Sequence, residues 1–590
     1  MLASPAPAEG HITTAPASRT PAWRATVIGL VALLAVGIGA ALGAHLLGGR
    51  GAGMGAAASY VPADAPMYVE LRVQPSAEQD AALRELLGWF PAIDGVDLER
   101  PLYEGLTERL DDLLASGGAE LSWAQDVAPW FDGRVAFAMT DGTMLTPPDD
   151  PMTAIPEIPA MLMLGVADRA AASDAIERIL ADAGAGMTFT DSEHAGFTIR
   201  ESTQGFGAFV LTDDQLLIAM GGDAIRNALD AHASGRTLSG SQGMSDLTTE
   251  LPADWLVLAT YDMSGLMADA LAQMGTESPE MTEAFESLLE EQPMRAAMSI
   301  SASEDGIVMD AVSEAPTGAF AVENADRGLA DEVPGDALFF SEAGNLGPSY
   351  EATIGALKDG LASDPAAAEQ IRIAEAALGA DLEELVSWIG DGAVVAGWDG
   401  TQWYGGMILV PTDMQAAERR LGQLGSFAEL AALDPASGVT VTTADHESVT
   451  VTTIRWQPPA DALGGAAFLA PDGVVVEYAV TDTRALVGIG DAFVGRVLAV
   501  EATGSLAVNP GYSEAVAELG GSTNTGTTWL DLIRAREALE AMLATTEAHD
   551  GYVANVRSWL IPLQRLVSVA RLDGDLVVTR AILYVDAGAP

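Results

Sequence analysis

The chain contains no cysteine and a single lysine, Lys358, among 590 residues. Without thiols, disulfides, thiolate nucleophiles and cysteine-ligated zinc are excluded together. The lone lysine sits in Ala-Leu-Lys-Asp-Gly, so the lysine-bearing phosphate loop of P-loop nucleotide chemistry has nowhere to form. Positive charge is scarce altogether: 28 Lys and Arg against 84 Asp and Glu leave a formal charge of −56. Such a field repels nucleic acid and anionic lipid surfaces, which are bound through basic patches, and nucleic-acid binding is thereby excluded. Catalytic signatures are missing as well. No Gly-x-Ser-x-Gly elbow and no His-Glu-x-x-His occur; Gly240-Ser241-Gln242-Gly243 has the wrong spacing, and Gly488-Ile489-Gly490 lacks the third glycine of a dinucleotide fingerprint.

What is present is apolar and acidic. Hydrophobic residues make up 49% of the chain with 6% aromatics, ample for packed cores, and the length suits two or three domains. The plain reading of the acidity is a solvated surface that keeps an Ala- and Gly-rich protein in solution. The sharper reading is a surface that collects divalent cations. Val27 to Leu47 is a run of 21 residues without formal charge, enough to cross a bilayer core of ~30 Å at ~1.5 Å per residue. Arg19, Trp23 and Arg24 precede it and Arg50 follows, which favours a cytoplasmic N-terminus and an extracytoplasmic bulk. The expected topology is a single-pass plasma-membrane protein with a disordered cytoplasmic tail at 1–26, a transmembrane helix at 27–47 and a Gly/Ala linker at 48–60. A cleavable signal ending at Ala56-Ala57-Ala58 is the rival, disfavoured by the length of the apolar run.

The remainder repeats itself. Val61-Pro62-Ala63-Asp64-Ala65 recurs as Val333-Pro334-Gly335-Asp336-Ala337, and Trp130-Phe131-Asp132-Gly133 as Trp388-Ile389-Gly390-Asp391-Gly392. Gly186-Met187-Thr188-Phe189-Thr190 matches Gly438-Val439-Thr440-Val441-Thr442, Gly222-Asp223-Ala224 matches Gly490-Asp491-Ala492, and Asp305-Gly306 matches Asp573-Gly574. Matches in one order with small insertions are what duplication leaves, so repeat domains are expected at 61–315 and 333–585, joined by a linker at 316–332. Within a copy, alternating runs such as Met67 to Val73 predict strands and Ala170 to Ala183 has helical spacing. The expected fold class is α+β: an N-terminal transmembrane helix, then two tandem homologous domains with mostly antiparallel sheets and packed helices.

The Val61 to Ala65 motif ahead of a first strand, shortly after a lone apolar span, is followed downstream by Asp126-Val127-Ala128-Pro129-Trp130 before a glycine and a strand. Together these motifs resemble a bacterial family known only as a domain of unknown function, made of membrane-anchored exported proteins. The second copy is more diverged, since Val386-Ser387-Trp388 lacks the proline. The resemblance implies topology and carries over no catalytic residue.

Candidate sites are few. His194 and His446 fall at equivalent points of the two copies and each follows a carboxylate, Glu193 or Asp445. Imidazole plus carboxylate suits a metal or proton site, but no third ligand is visible. Asp149-Asp150 and the Asp573/Asp575 pair are candidates for weak calcium binding, without the spacing of a 12-residue calcium loop. Trp130 and Trp388 read as core anchors. No catalytic residue and no cofactor is expected. The expected function is non-enzymatic binding or scaffolding in the cell envelope, with an envelope protein as partner. One rival is a carrier of lipid or another apolar ligand, with Met161-Leu162-Met163-Leu164 as an adaptable lining. Another is an unrecognised hydrolase, for which a deep pocket with two convergent acids is required.

Overall fold

In the computed structural model the described residues are 54–586, apart from 93–95, 117–121, 141–159, 183–187, 204–206, 269–270, 272–278, 363, 401, 447, 458–472, 491 and 545. The first half contributes ten strands: β1 (Met67–Arg72), β2 (Phe131–Met139), β3 (Ala160–Val166), β4 (Phe189–His194), β5 (Phe197–Ser202), β6 (Ala208–Leu211), β7 (Gln215–Ala219), β8 (Val257–Asp262), β9 (Arg295–Ala302) and β10 (Gly306–Glu314). The second contributes β11 (Ala337–Ala343), β12 (Ile389–Trp398), β13 (Trp403–Pro411), β14 (Val439–His446), β15 (Val449–Trp456), β16 (Val474–Val480), β17 (Ala485–Ile489), β18 (Gly526–Asp531), β19 (Leu563–Asp573) and β20 (Leu576–Val585).

Antiparallel pairing orders the first ten as β4-β5-β6-β7-β3-β2-β1-β8-β9-β10. The second ten follow the same order, β14-β15-β16-β17-β13-β12-β11-β18-β19-β20. The last strand of each then pairs with the other: β10 runs antiparallel to β20 from Gly306↔Tyr584 to Glu314↔Leu576. The result is a single 20-stranded sheet.

The expected fold class is corrected in two respects. The two regions do not carry sheets of their own, because each would end on an edge of unpaired backbone groups at β10 or β20, and pairing the edges satisfies both. The span expected at 27–47 lies outside the described residues, and among the described residues no helix is long and apolar enough to cross a membrane. The longest, Met414–Ala432, carries Glu418, Arg419, Arg420 and Glu429 and packs by one face only. The described fold is α+β on this 20-stranded antiparallel sheet, beside which Ala325–Asp326 pairs separately with Thr523–Asn524.

Alternation along each strand loads both faces. On one face of the first half, Tyr68, Ala136, Ala138, Met161, Met163 and Leu217 meet Ile225, Ala228 and Leu229 of a helix at Gly222–Ser234. On the opposite face Val135 and Leu164 meet Trp123, Trp130 and Ala172. The second half repeats the scheme, with Phe340, Val395, Tyr404, Phe493, Tyr512 and Trp529 on one face and Trp388, Leu409, Ala417 and Leu421 on the other. The indole N–H groups of Trp130 and Trp388 donate to Asp126 O (2.6 Å) and Leu385 O (2.7 Å), so each tryptophan buries its ring without orphaning its donor. Met161 and Met163, which the rival carrier reading would place at a cavity, are fully buried core.

Two helices follow β1, α1 (Ala77–Leu87) and α2 (Leu102–Ser116), and two follow β11, α3 (Leu346–Leu361) and α4 (Pro365–Leu378). Short three-ten turns precede β1 and β11, at Ala56–Ser59 and Leu329–Glu332. Ala57, Ala58 and Tyr60 are buried in the core, as are Leu329 and Ala330. Both segments read as linker in the sequence, and both belong to the fold.

Candidate functional site

Each half buries a glutamate at the same register of its first strand. Glu70 on β1 is 1% exposed and Glu342 on β11 is 4% exposed. Glu70 Oε2 accepts from Gly55 N (2.8 Å) and from the Tyr68 hydroxyl (2.7 Å), while Arg134 lies 3.4 Å from Oε1. Glu342 Oε1 accepts from Leu329 N at 3.4 Å, and its Oε2 has no hydrogen-bond partner. Burial pushes the Glu342 carboxyl up to about 7, against the opposing pull of the Leu329 N–H and the Arg327 guanidinium. Both acids therefore sit behind a three-ten turn and hold its backbone, a structural duty.

Two polar clefts open in the second half. One, of about 530 Å³, is lined by Asp336, Arg496, Ser505, Asn509 and Arg534 among others. Asp336 accepts from Tyr404 Oη (3.0 Å) and Arg496 Nη1 (3.1 Å), and the Arg496 guanidinium lies 4.5 Å from the Tyr404 ring centre. Burial and the neighbouring Asp336 hold the Tyr404 hydroxyl well above its ordinary range. Arg534 is ion-paired to Asp531 at 3.4 Å. The second cleft, about 480 Å³, includes Glu323, Arg327, Asn345 and Asp391. Arg327, 6% exposed, donates to Asp391 Oδ2 (2.7 Å), Asn524 O (3.1 Å) and Glu323 O (3.2 Å). Asp391 Oδ1 accepts from Asn345 N (3.2 Å), whose residue takes a left-handed conformation at φ 58°. In both clefts the central carboxylate is engaged with an arginine of the same half.

A third cleft, about 400 Å³, is different in kind. It lies in the first half between α1, α2 and the sheet, and apolar side chains from β1, β8 and both helices line most of it.

The sequence candidates are dispersed. His194 ends β4 and His446 ends β14, each at the tip of the equivalent hairpin. Ala195 (φ 50°) and Gly196 (φ 87°) make the first turn, a tight connection in which both residues take positive φ. The acids ahead of the histidines close the hairpins: Thr198 donates to Glu193 (2.7 Å) and Thr450 to Asp445 (2.9 Å). His194 Nε2 lies 2.8 Å from Asp230, whereas His446 Nε2 is buried without a partner. Asp573 and Asp575 flank Gly574 at the turn between β19 and β20. Asp149 and Asp150 lie outside the described residues. Among the described residues no three or more His, Asp or Glu side chains gather in a way that could hold a metal ion. The buried glutamates and the apolar cleft were not singled out from sequence. For the glutamates the signal was there, five residues beyond Ala65 and Ala337 in the repeat.

Among solved structures, the chain is similar to crystal forms I and IV of TP0453. Identities are 10% and 11%, with TM-scores of 0.20 and 0.21, and each comparison covers 44% of this chain and 79% of the other. A superposition that loose transfers neither fold nor function. No curated protein matches the sequence. The family pattern described as "Protein of unknown function (DUF3352)" matches residues 25–566, and the chain belongs to that family.

Proposed function

We propose that the protein is a non-enzymatic binding or scaffolding protein of the cell envelope, exported by means of the apolar stretch 27–47, and that its two halves are tandem copies of one domain. The observation that carries the binding reading is the state of the carboxylates in the polar clefts. Asp336 is held between Tyr404 and Arg496, and Asp391 between Arg327 and the Asn345 backbone. A general acid or base needs a proton position facing substrate, and these side chains face one another. The shared strand order of the two halves supports duplication, in line with the repeated motifs.

The export part is tested by joining alkaline phosphatase, active only outside the cytoplasm, after Asp586 and β-galactosidase at the same point in a parallel strain. Phosphatase activity without galactosidase activity is expected; the reverse pattern refutes export. The non-enzymatic part is tested by Asp336→Asn and Asp391→Asn in the intact chain. Each is expected to lower the melting temperature while the folded fraction still complements a deletion strain, and a folded variant that fails to complement refutes the reading.

A further inference from the structure

We propose that Glu342 makes the segment 323–332, which bridges the two halves, a pH-released latch, closed in acid and loosened above neutrality. The segment is held at several points. Ala325–Asp326 pairs with Thr523–Asn524, and the Asn324 side chain donates to Leu572 O (2.8 Å) and accepts from Leu572 N (2.9 Å). Arg327 reaches Asp391, Asn524 O and Glu323 O. The segment also supplies Glu323 and Arg327 to the wall of the cleft of about 480 Å³. Behind it lies Glu342, whose Oε1 takes Leu329 N at 3.4 Å.

The first half shows the same acid fully supplied with donors. Glu70 Oε2 takes the Gly55 N–H and the Tyr68 hydroxyl, and Arg134 stands 3.4 Å from Oε1. In the second half both side-chain donors are replaced. Phe340 precedes Glu342 by two residues, as Tyr68 precedes Glu70, and it has no hydroxyl. Arg134 lies on β2 two residues before Ala136, which is opposite Glu70; the same place on β12, two residues before Ala393, is Asp391. A carboxylate thus stands where the first half has a guanidinium, and its charge pushes Glu342 up. Arg327 offsets this only in part, because its Nη1 is committed to Asp391 at 2.7 Å. Thr527, opposite Glu342 on β18, takes the Asn524 amide at 3.0 Å. Tyr512 and Asp331 add no positive charge; burial and the charges of Glu342 and Asp331 hold the Tyr512 hydroxyl well above its ordinary range. Glu342 Oε2 is left buried without a partner. A carboxyl group so placed is more stable with its proton than without it.

Release of the segment lets water reach Glu342, and its carboxyl returns from about 7 to the ordinary 4.5. Between those values the open form gives up a proton that the closed form keeps, so opening is favoured as pH rises through the window and levels off above it. The test is hydrogen exchange of the full chain, with each amide rate in 323–332 divided by its intrinsic rate at the same pH. The opening equilibrium is expected to rise roughly 30-fold between about pH 5.5 and about pH 8. The turn Ala56–Ser59, over the well-supplied Glu70, is the internal control and should show no such rise. Glu342→Gln removes the titrating group and is expected to hold the change at 323–332 within about threefold. Phe340→Tyr supplies the hydroxyl that Tyr68 supplies in the first half and is expected to shrink the rise at least about threefold. Melting curves establish that each variant folds, and the wild-type comparison of the two turns needs no variant. No rise in the wild type, an equal rise at Ala56–Ser59, or an undiminished rise in folded Glu342→Gln or Phe340→Tyr overturns the proposal.

Discussion

Replacing Asp310 with asparagine should make the protein more stable at neutral pH. Asp310 lies on β10 beside the junction of the two halves, fully buried, with Ser299 opposite on β9 and Arg580 opposite on β20. Arg580 Nε is 3.7 Å from Oδ1, beyond hydrogen-bond reach, and neither carboxylate oxygen has a hydrogen-bond partner. Burial pushes the carboxyl up from 3.8 to about 6, with Arg580 pulling the other way. A difference of about two units at ~1.36 kcal/mol each places a penalty of about 3 kcal/mol on the ionised folded form. The sign follows from proton counts. Between about pH 4 and pH 6 the folded state keeps a proton that the unfolded chain releases, so this group lowers stability as pH rises through that window. Asparagine keeps the shape and carries no charge, and relieves the penalty above the window while gaining little below it. The expectation is a gain of about 1–3 kcal/mol at about pH 8 that shrinks steadily toward about pH 4. The assay is urea unfolding of wild type and Asp310→Asn at both pH values, compared by midpoint at unchanged slope. A variant less stable than wild type at the higher pH would refute the reasoning, because Asp310 and Arg580 would then form a net stabilising pair.

Other perturbations test other parts of the fold. At Gly306 (φ 153°) an added Cβ would lie 2.0 Å from Leu583 O across the junction; Gly306→Ala should cost about 2 kcal/mol or more in urea unfolding, and an unchanged midpoint would contradict the pairing of β10 with β20. Glu70→Ala strips a buried acceptor from Gly55 N and Tyr68 Oη and should cost about 2–4 kcal/mol, read by thermal melting; a cost near zero would mean that the turn at Ala56–Ser59 does not need it. Sodium chloride should raise the melting temperature by screening a surface of formal charge −56, while micromolar calcium at matched ionic strength should add nothing; a shift of several degrees from calcium would point to a built site.

The elements that were legible are those whose pattern is local. Ala160 to Val166 is an apolar run and became β3; the polar segments around His194 and His446 became hairpin tips. The joining of the halves was not legible, because β10 alternates Val308, Asp310 and Val312 with Ile307, Met309 and Ala311 just as an edge strand packed on two faces would. Only the partner, Leu576 to Val585, distinguishes the two cases, and it lies more than 260 residues away in sequence. The apolar cleft was hidden for a related reason: Leu83 with Leu87 and Leu102 with Leu106 have the spacing of ordinary core-facing helices, and spacing does not tell a filled interface from an open one. The candidate carboxylate at Asp573 drew notice for being clustered, whereas Glu70 and Glu342 belong to the few buried acids, with Asp310 and Glu477, and composition does not report burial.

The antiparallel junction has a consequence for assembly. Two counterpart strands that pair antiparallel at the edges of equivalent half-sheets are arranged as in a twofold-symmetric dimer, where one surface recognises a copy of itself. A single-domain relative with the same strand order would present the β10 edge to solvent and would close it by pairing with a second molecule, at a strength set by its concentration. Carrying both partners on one chain makes that contact intramolecular and independent of concentration. Among the described residues it leaves β4 and β14 as the outer edges of the sheet, where Asp191, Glu193 and Asp445 place negative charge against further strand addition. The two halves are thus joined edge to edge within one chain, and charge on the outer strands discourages further strand addition.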